Sequence, residues 1–580
     1  MKDEIHIERF ETRDHLPNIR ITRGENTVTL HSVQPYKEAE RVISRFNPSM
    51  EWTFIAGLGL GYIAETFLNT LGGNLVVYDP CAEILDIAKS LPQNASLFSD
   101  KRVHFLSRAE DIVPFLESHN VRELNYYLHR PYSALFPGEF SGMEGIIASY
   151  LSKRQINKNT LKRFRMVWLR NLIKNFPFHF ATPGIDHLRH PFEGKPALIV
   201  GAGPSLAKNI DSIRRYADRM VIIAADTALP MLAGNGVSPD FTVSADPQDK
   251  NALFLLYSGH TDTTLVIDAA GSFLTCAKYR PARTLMYDSF FPIYRELSGY
   301  WGAKGELKSG GSVSTTAFDF ARFLRCSPII FAGQDLAYSG KKTHFRGNVL
   351  EDYFFYKIDK FHTYEGYHAR TLILSDQIFI DGYSGGKVLT DRKFLTFLEW
   401  FKREIAATDV PVINATEGGA FIHGARHLPF EETAAEFLRA PIDKSVRIDF
   451  TPSDPAPYAE YLRSVISACD TLIPSAERAY SSSKQAMPLF RQGKDLSPHF
   501  RAMNDFDRAV LTALKAGNAV SKLIELVMQD SIERILESSS WDKEISADLI
   551  EGWQSLYGGA LAALKKVRYM LTKAERINLF

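Results

Sequence analysis

Short apolar runs recur through the middle of this chain, and most of them stop at a glycine or an aspartate. Ala197–Val200 ends at Gly201, Val221–Ala225 at Asp226, Phe241–Ala245 at Asp246 and Ile329–Ala332 at Gly333. Thr264–Ile267 and Thr284–Tyr287 are further runs of the same kind. Helical patterns lie between them. Strands alternating with helices predict a mostly parallel, doubly wound sheet. The first ~150 residues also read as α/β. Ile19–Thr22 and Thr27–His31 form a hairpin around Gly24-Glu25-Asn26. An amphipathic helix follows over Tyr36–Phe46. Thr53–Ala56 leads into Gly57-Leu58-Gly59-Leu60-Gly61, a helix, and then Leu75–Asp79, which is a βαβ opening.

Beyond Thr451-Pro452-Ser453-Asp454-Pro455-Ala456-Pro457 the period changes to that of helices. Tyr458–Ser483, Phe500–Leu536 and Glu544–Leu571 carry i, i+3, i+4 apolar spacing. The pattern therefore predicts four parts: an α/β domain over 1–150, a basic helical connector over 151–190, a central α/β domain over 191–440, and an all-α domain over 457–580. The connector holds Lys153, Arg154, Lys158, Lys162, Arg163, Arg165, Arg170 and Lys174 without an acid between 151 and 175. It reads as a packed helix with a solvated basic face, the alternative being a surface for an acidic partner.

Composition narrows the function. A chain of 580 residues with 45% hydrophobic and 23% charged positions is an ordinary globular protein, and a formal net charge of +1 gives no pull toward nucleic acid or anionic membrane. Cys81, Cys276, Cys326 and Cys469 are far apart, so neither a disulfide framework nor a cysteine metal site is expected. The polar start and the lack of a long apolar run predict a cytoplasmic protein without membrane insertion. No metal is expected.

The chemistry is concentrated where the strands end, because ligands of open parallel sheets bind at the carboxyl ends. Gly201-Ala202-Gly203-Pro204-Ser205 is a tight turn into a helix. Its glycines permit close backbone approach, and Ser205 reads as an N-cap over donors suited to phosphate. Asp226-Thr227, Asp246-Pro247-Gln248 and Gly333-Gln334-Asp335 follow other strands. Ser309-Gly310-Gly311-Ser312-Val313-Ser314 precedes an apolar helix, and Asn414-Ala415-Thr416-Glu417-Gly418-Gly419 follows the short strand Val412-Ile413. Asp226, Asp246, Ser312, Gln334 and Asp335 are expected to converge on one pocket. Gly203→Val is expected to abolish nucleotide binding without unfolding the chain.

Taken in order, these segments resemble the bacterial Maf family, the motility-associated factor glycosyltransferases of flagellin. Leu30-His31-Ser32, Glu38-Ala39-Glu40-Arg41 and the Gly57–Gly61 turn are also similar to that family, so the likeness runs over about residues 28–427. It implies transfer of a nonulosonic acid, of the pseudaminic or legionaminic type, from its CMP-activated form to Ser or Thr of flagellin. The CMP-sugar would be a donor substrate, and no further cofactor is implied. The central domain is also similar to bacterial sialyltransferases. That likeness assigns Gly201, Gly203, Pro204 and Ser205 to the CMP end, Asp226 and Thr227 to donor contacts, and Gly311, Ser312 and Val313 to the sugar carboxylate. Tyr338 falls near a tyrosine on the leaving phosphate; Asp246 and Gln334 belong to the same edge.

The chain departs from the sialyltransferases at Asp381-Gly382-Tyr383-Ser384-Gly385-Gly386, which lacks their histidine base. A Ser or Thr acceptor gains from a base within hydrogen-bond reach, and Asp335, His344, Glu417 and Asp246 are the candidates. Two other readings stand beside the transferase: a pterin pyrophosphokinase-like enzyme with a similar central domain, and a non-catalytic flagellin-binding chaperone. The Gly57–Gly61 turn, with Asp79 beyond it, reads either as a second nucleotide site or as a structural βα turn. The C-terminal helices are expected to supply the flagellin-docking surface, with dimerisation or buttressing as the rival role.

Overall fold

The computed structural model describes residues 5–578, apart from 120, 122, 141, 189–191, 260–261, 341, 343, 346–348, 350–357, 361–362, 364–365, 367–372, 374–375 and 539–545. It divides into two compact units, Met1–Arg163 and Phe164–Phe580. The division falls inside one long helix, Met143–Lys174, rather than at either end of the expected 151–190 connector.

In the N-terminal unit, β1 (Ile5–Glu11), β2 (Pro17–Arg23) and β3 (Asn26–Thr29) form an antiparallel sheet. The hairpin between β2 and β3 is tighter than the sequence reading had it. Arg23 pairs with Asn26, leaving only Gly24 and Glu25 in the loop, and Gly24 takes φ +60°. A second sheet has the order β6-β5-β4-β7 with every pair parallel: Val103–Leu106, Asn74–Tyr78, Trp52–Ala56 and Asn125–Leu128. β4 is buried along its whole length, Thr53 included, as a parallel strand covered on both faces is.

The second unit is built on eight parallel strands. They are β8 (Ala197–Val200), β9 (Val221–Ala225), β10 (Phe241–Ser244), β11 (Thr264–Asp268), β12 (Arg283–Tyr287), β13 (Ile329–Ala332), β16 (Val412–Asn414) and β17 (Arg426–His427). Their order is β12-β11-β10-β9-β8-β13-β16-β17. The chain winds outward from β8 to β12 and then returns to lay β13 on the other side of β8. The crevice between the β8 and β13 loops is thus the topological switch point, where such sheets bind ligands. A separate hairpin pairs β14 (Ile378–Asp381) with β15 (Lys387–Thr390). The helix Arg392–Ala406 that follows is capped by Asp391, which accepts from the Phe394 amide at 2.8 Å.

The C-terminal helices, Ala456–Arg491, Ser497–Lys515, Ala519–Ser538 and Ala547–Asn578, lie in the same compact unit as the large sheet and not in a unit of their own. An aromatic cluster fastens them. Tyr458, 1% exposed, stacks on Phe176 at 4.4 Å and meets Trp301 at 5.4 Å and Tyr300 at 5.6 Å. Among the described residues no helix is long and apolar enough to cross a membrane.

Candidate functional site

At the switch point the two loops are stitched together. The Gly201 amide donates to Ala332 O at 2.9 Å and the Gly203 amide to Gly333 O at 2.8 Å. Asp335 closes the stitch. It accepts from the Ser205 hydroxyl at 2.5 Å, the Ser205 amide at 3.3 Å and the Ser339 hydroxyl at 2.6 Å. A Cβ on Gly203 would stand 2.0 Å from Asp335 Oδ2 and 2.6 Å from Gly333 O, so this close approach is what demands glycine.

Two expectations change here. Ser205 does not cap the helix Leu206–Arg215, because its hydroxyl donates to a stronger acceptor, the Asp335 carboxylate. The turn's donors at Gly201, Gly203 and Ser205 are likewise given to the β13 loop, and the Ser205 amide meets an anion carried by the chain itself. Burial pushes the Asp335 carboxyl up while Ser205 and Ser339 pull it back. Asp335 is thereby a clamp between loops before it is a base.

Around the clamp stand groups from β13 and β16. The Gln334 amide donates to Thr416 Oγ1 at 3.1 Å, while its buried Oε1 has no partner. Glu417 has φ +55°, a left-handed backbone unusual for a residue with a side chain. Its Oε1 accepts from Asn209 Nδ2 and the Phe430 amide, each at 2.9 Å, and its carbonyl accepts from Lys208 Nζ at 2.7 Å. Pro204 is half-buried in the turn. His344 is half-buried, and the next amide, Phe345 N, donates to Ala202 O at 3.0 Å, bringing that loop back to the glycine turn. The Tyr338 hydroxyl donates to Asp391 Oδ2 at 2.7 Å, which ties it to the cap of the helix Arg392–Ala406.

A second group lies along the edge over β9–β12. Asp226 is fully buried and accepts from Ser244 Oγ at 2.8 Å and the Thr227 amide at 2.7 Å. Burial, then the charge of Asp246, pushes its carboxyl up to about 7. Asp246 itself folds onto Gln248, accepting from its amide at 2.8 Å. Burial also raises Asp268 to about 7. The Tyr287 hydroxyl lies well above its ordinary range through burial and the charges of Asp268 and Asp226, with Thr316 beside it. Thr316 is in the helix Val313–Phe323, whose first turn follows Ser312 and Gly311, the latter at φ +90°. Ser312 and Asp226 are therefore on the same edge of the sheet.

Helix Met143–Lys174 contributes to this edge in a way the sequence reading missed. Within the second unit, Asn171 Nδ2 donates to Pro247 O at 2.7 Å and Ala270 O at 3.3 Å. Asn175 Nδ2 donates to Gly271 O at 3.0 Å, and Arg170 pairs with Asp249 at 3.0 Å. Asn171 on the last turn of the helix and Asn175 just past its end, four residues apart, were the available signal. His423 and His427 were missed as well. Tyr383, in the turn without a histidine, packs edge-on against His427 at 5.2 Å, and His427 Nε2 accepts from the Ile422 amide at 3.2 Å.

The buried acid at Asp226 gives a pH test. Its folded pKa is above the unfolded value of 3.8, so its contribution is fully present below that value and is lost as pH rises through about 7. Between those limits the slope is about 1 kcal/mol per pH unit against the folded state. Asp226→Asn cannot ionise. Urea unfolding from pH 5 to 8 should show the variant gaining on the wild type up to about pH 7 and then levelling; parallel curves would refute the assignment.

In the N-terminal unit the Gly57–Gly61 turn is filled from within. All three of its glycines have positive φ. The Leu58 amide donates to Asp79 Oδ2 at 3.0 Å, and the Leu60 amide to His31 Nε2 at 2.9 Å. Asp79 also accepts from the Tyr132 hydroxyl at 2.5 Å, and burial raises it to about 6. A Cβ at Gly61 would meet Asn94 Oδ1 at 2.5 Å. The structural reading of this turn is the one the packing favours. A cleft of about 350 Å³ opens at the carboxyl ends of β5 and β6, lined by Tyr78, Pro80, Ser107, Arg108, Glu139 and Met143 among others.

The chain resembles several known proteins. A family model described as 6-hydroxymethylpterin diphosphokinase MptE-like matches residues 170–341. An uncharacterized protein of Treponema pallidum is 30% identical over 173 residues, 28% of this chain and 76% of its own, and the two belong to one family. A second uncharacterized Treponema pallidum protein is 28% identical over 189 residues, and the chain spans 65% of it. The 6-hydroxymethyl-7,8-dihydropterin pyrophosphokinase of Methanocaldococcus jannaschii is 27% identical over 223 residues, 37% of this chain and 87% of its own. The solved structure of the Maf glycosyltransferase from Magnetospirillum magneticum AMB-1 matches 99% of this chain and 93% of that one, with a TM-score of 0.54 and 14% identity. The α/β architecture with a helical C-terminus is thus a fold shared with that protein along the whole chain.

Proposed function

We propose that this chain is a glycosyltransferase of the Maf type, moving a nonulosonic acid from a CMP-activated donor to serine or threonine of flagellin in the cytoplasm. The observation that carries the reading is coverage. The Maf structure accounts for 99% of the chain, both flanking regions included, whereas the archaeal pyrophosphokinase accounts for 37%. Order along the chain adds support, since the segments Gly201–Ser205, Asp226-Thr227, Asp246–Gln248, Gly333–Asp335 and Asn414–Gly419 follow strands of one parallel sheet. Breaking a CMP glycoside releases an anion and leaves an oxocarbenium-like centre, so catalysis is largely electrostatic and positional. Lys208, on the first turn after the glycine turn and exposed, is the cation at hand for that anion.

The test is to incubate the full chain with flagellin and CMP-pseudaminic acid and weigh the intact flagellin. A mass gain of one or more nonulosonate residues is expected; unchanged flagellin with intact donor would reject the reading. The pterin model over 170–341 and the archaeal relative favour a second reading, pyrophosphoryl transfer. Its own arm uses ATP and 6-hydroxymethyl-7,8-dihydropterin. Release of AMP there, with no mass gain on flagellin, would replace the first reading by the second.

A further inference from the structure

We propose that His31, Glu38 and His129 form a binding site for one divalent metal ion of the zinc class within the N-terminal unit. The three come from separate places in the sequence: the segment after β3, the helix Pro35–Ile43 and the segment after β7. The fold brings one ligand atom of each within 4.8 Å of the others. His31 Nδ1 stands 4.0 Å from Glu38 Oε2, and the two imidazoles lie 5.0 Å apart.

The second observation is what these rings lack. His129 is 0% exposed and, although the Leu30 backbone lies beside its ring, neither ring nitrogen makes a well-formed hydrogen bond; His31 is 3% exposed and its Nδ1 has no partner. Polar atoms buried without partners are costly, and such groups are retained where something else satisfies them. The Ser32 amide donates to Glu38 Oε2 at 2.8 Å, which orients the carboxylate from the same segment that carries His31. Two nitrogens and one carboxylate oxygen make a donor set suited to zinc, with a position left open. Tetrahedral ligands on zinc sit roughly 3.4 Å apart, so binding must draw ligand atoms that now lie within 4.8 Å of one another closer by up to roughly 1.4 Å.

One hydrogen bond opposes the metal. The Leu60 amide donates into His31 Nε2, which places that ring's proton on Nδ1. When a metal takes Nδ1, the proton moves to Nε2 and the Leu60 amide must turn away. A single backbone hydrogen bond is small beside coordination of a zinc-class ion, so the ion prevails and the Gly57–Gly61 turn registers its arrival.

The experiment uses the full chain, stripped with chelator and titrated with cobalt(II), with zinc(II) in competition. One equivalent should bind, giving visible bands of low-coordinate cobalt without thiolate charge transfer, and amide exchange should quicken at Leu60. Glu38→Gln keeps the Ser32 bond and should weaken cobalt binding by tenfold or more; His129→Gln should abolish it. Should His129→Gln fail to fold, Glu38→Gln decides alone, because Glu38 is only half-buried. Failure to bind cobalt, or equal binding by wild type and Glu38→Gln, would overturn the proposal and leave a buried water as the occupant.

Discussion

Gly203→Ala should cost roughly 3 kcal/mol or more, a large effect for one added methyl group. The new Cβ would meet Asp335 Oδ2 at 2.0 Å and Gly333 O at 2.6 Å. The second contact is with backbone and cannot swing aside. It also belongs to the carbonyl that the Gly203 amide uses, so relieving the clash breaks the bond that holds the β8 and β13 loops together. Urea unfolding measures the loss. Repeating the change in an Asp335→Ala background separates its two parts: the carboxylate clash is gone there, and the cost of Gly203→Ala should fall by about 1 kcal/mol or more. Equal costs in both backgrounds would show that the carboxylate is not where the structure puts it. The same geometry corrects the expectation that Gly203→Val would abolish nucleotide binding in an intact protein. Valine destroys the loop pairing first, so Lys208→Ala, on an exposed side chain, is the better probe of donor binding.

Tyr458→Ala should cost roughly 3–5 kcal/mol, the range for losing a fully buried aromatic. Its ring fills the space between Phe176, Trp301 and Tyr300 where the helical region meets the sheet-bearing region. Removing 456–580 goes further, uncovering Phe176, Phe180 and Trp301 together. The truncated chain should be insoluble or should lose its cooperative transition. Size-exclusion chromatography and thermal unfolding of residues 1–455 check this, and a soluble, cooperatively folded truncation would contradict it. Deletion is therefore a poor test of flagellin docking by these helices. Charge reversals on their exposed faces leave the aromatic cluster intact and test whether these helices dock flagellin at all.

Much of the central sheet was readable from the chain, because strands buried on both faces need unbroken apolar runs and parallel strands end in polar turns. Val221–Ala225 and Ile329–Ala332 were placed to the residue. Adjacency was harder. Nothing in Ala197–Val200 or Ile329–Ala332 says that they pair, and the role of Asp335 depends on that pairing. Read alone, Gly-x-Gly-Pro-Ser offers donors to a ligand; read with β13 beside it, it offers them to Asp335. β1 was missed because its alternating Ile5 and Ile7 are only half-buried. His31 and His129 carry no local signal, since ligand spacing is sought within short windows and these two meet only through the fold.

The pairing of β8 with β13 also governs how the newborn chain comes together. Ser205 and Asp335 are 130 residues apart. At roughly 5–20 residues per second, a ribosome needs on the order of ten seconds to make that interval. During it β9 to β12 can assemble against β8 on one side. The other side of β8, destined for complete burial, stays an open apolar edge, the kind that recruits foreign strands. The crevice exists only once β13 is made, and β16 and β17 are then added beyond it. A chain that stops between β12 and β13 has no clamp at all and is left as a half-sheet with that edge open.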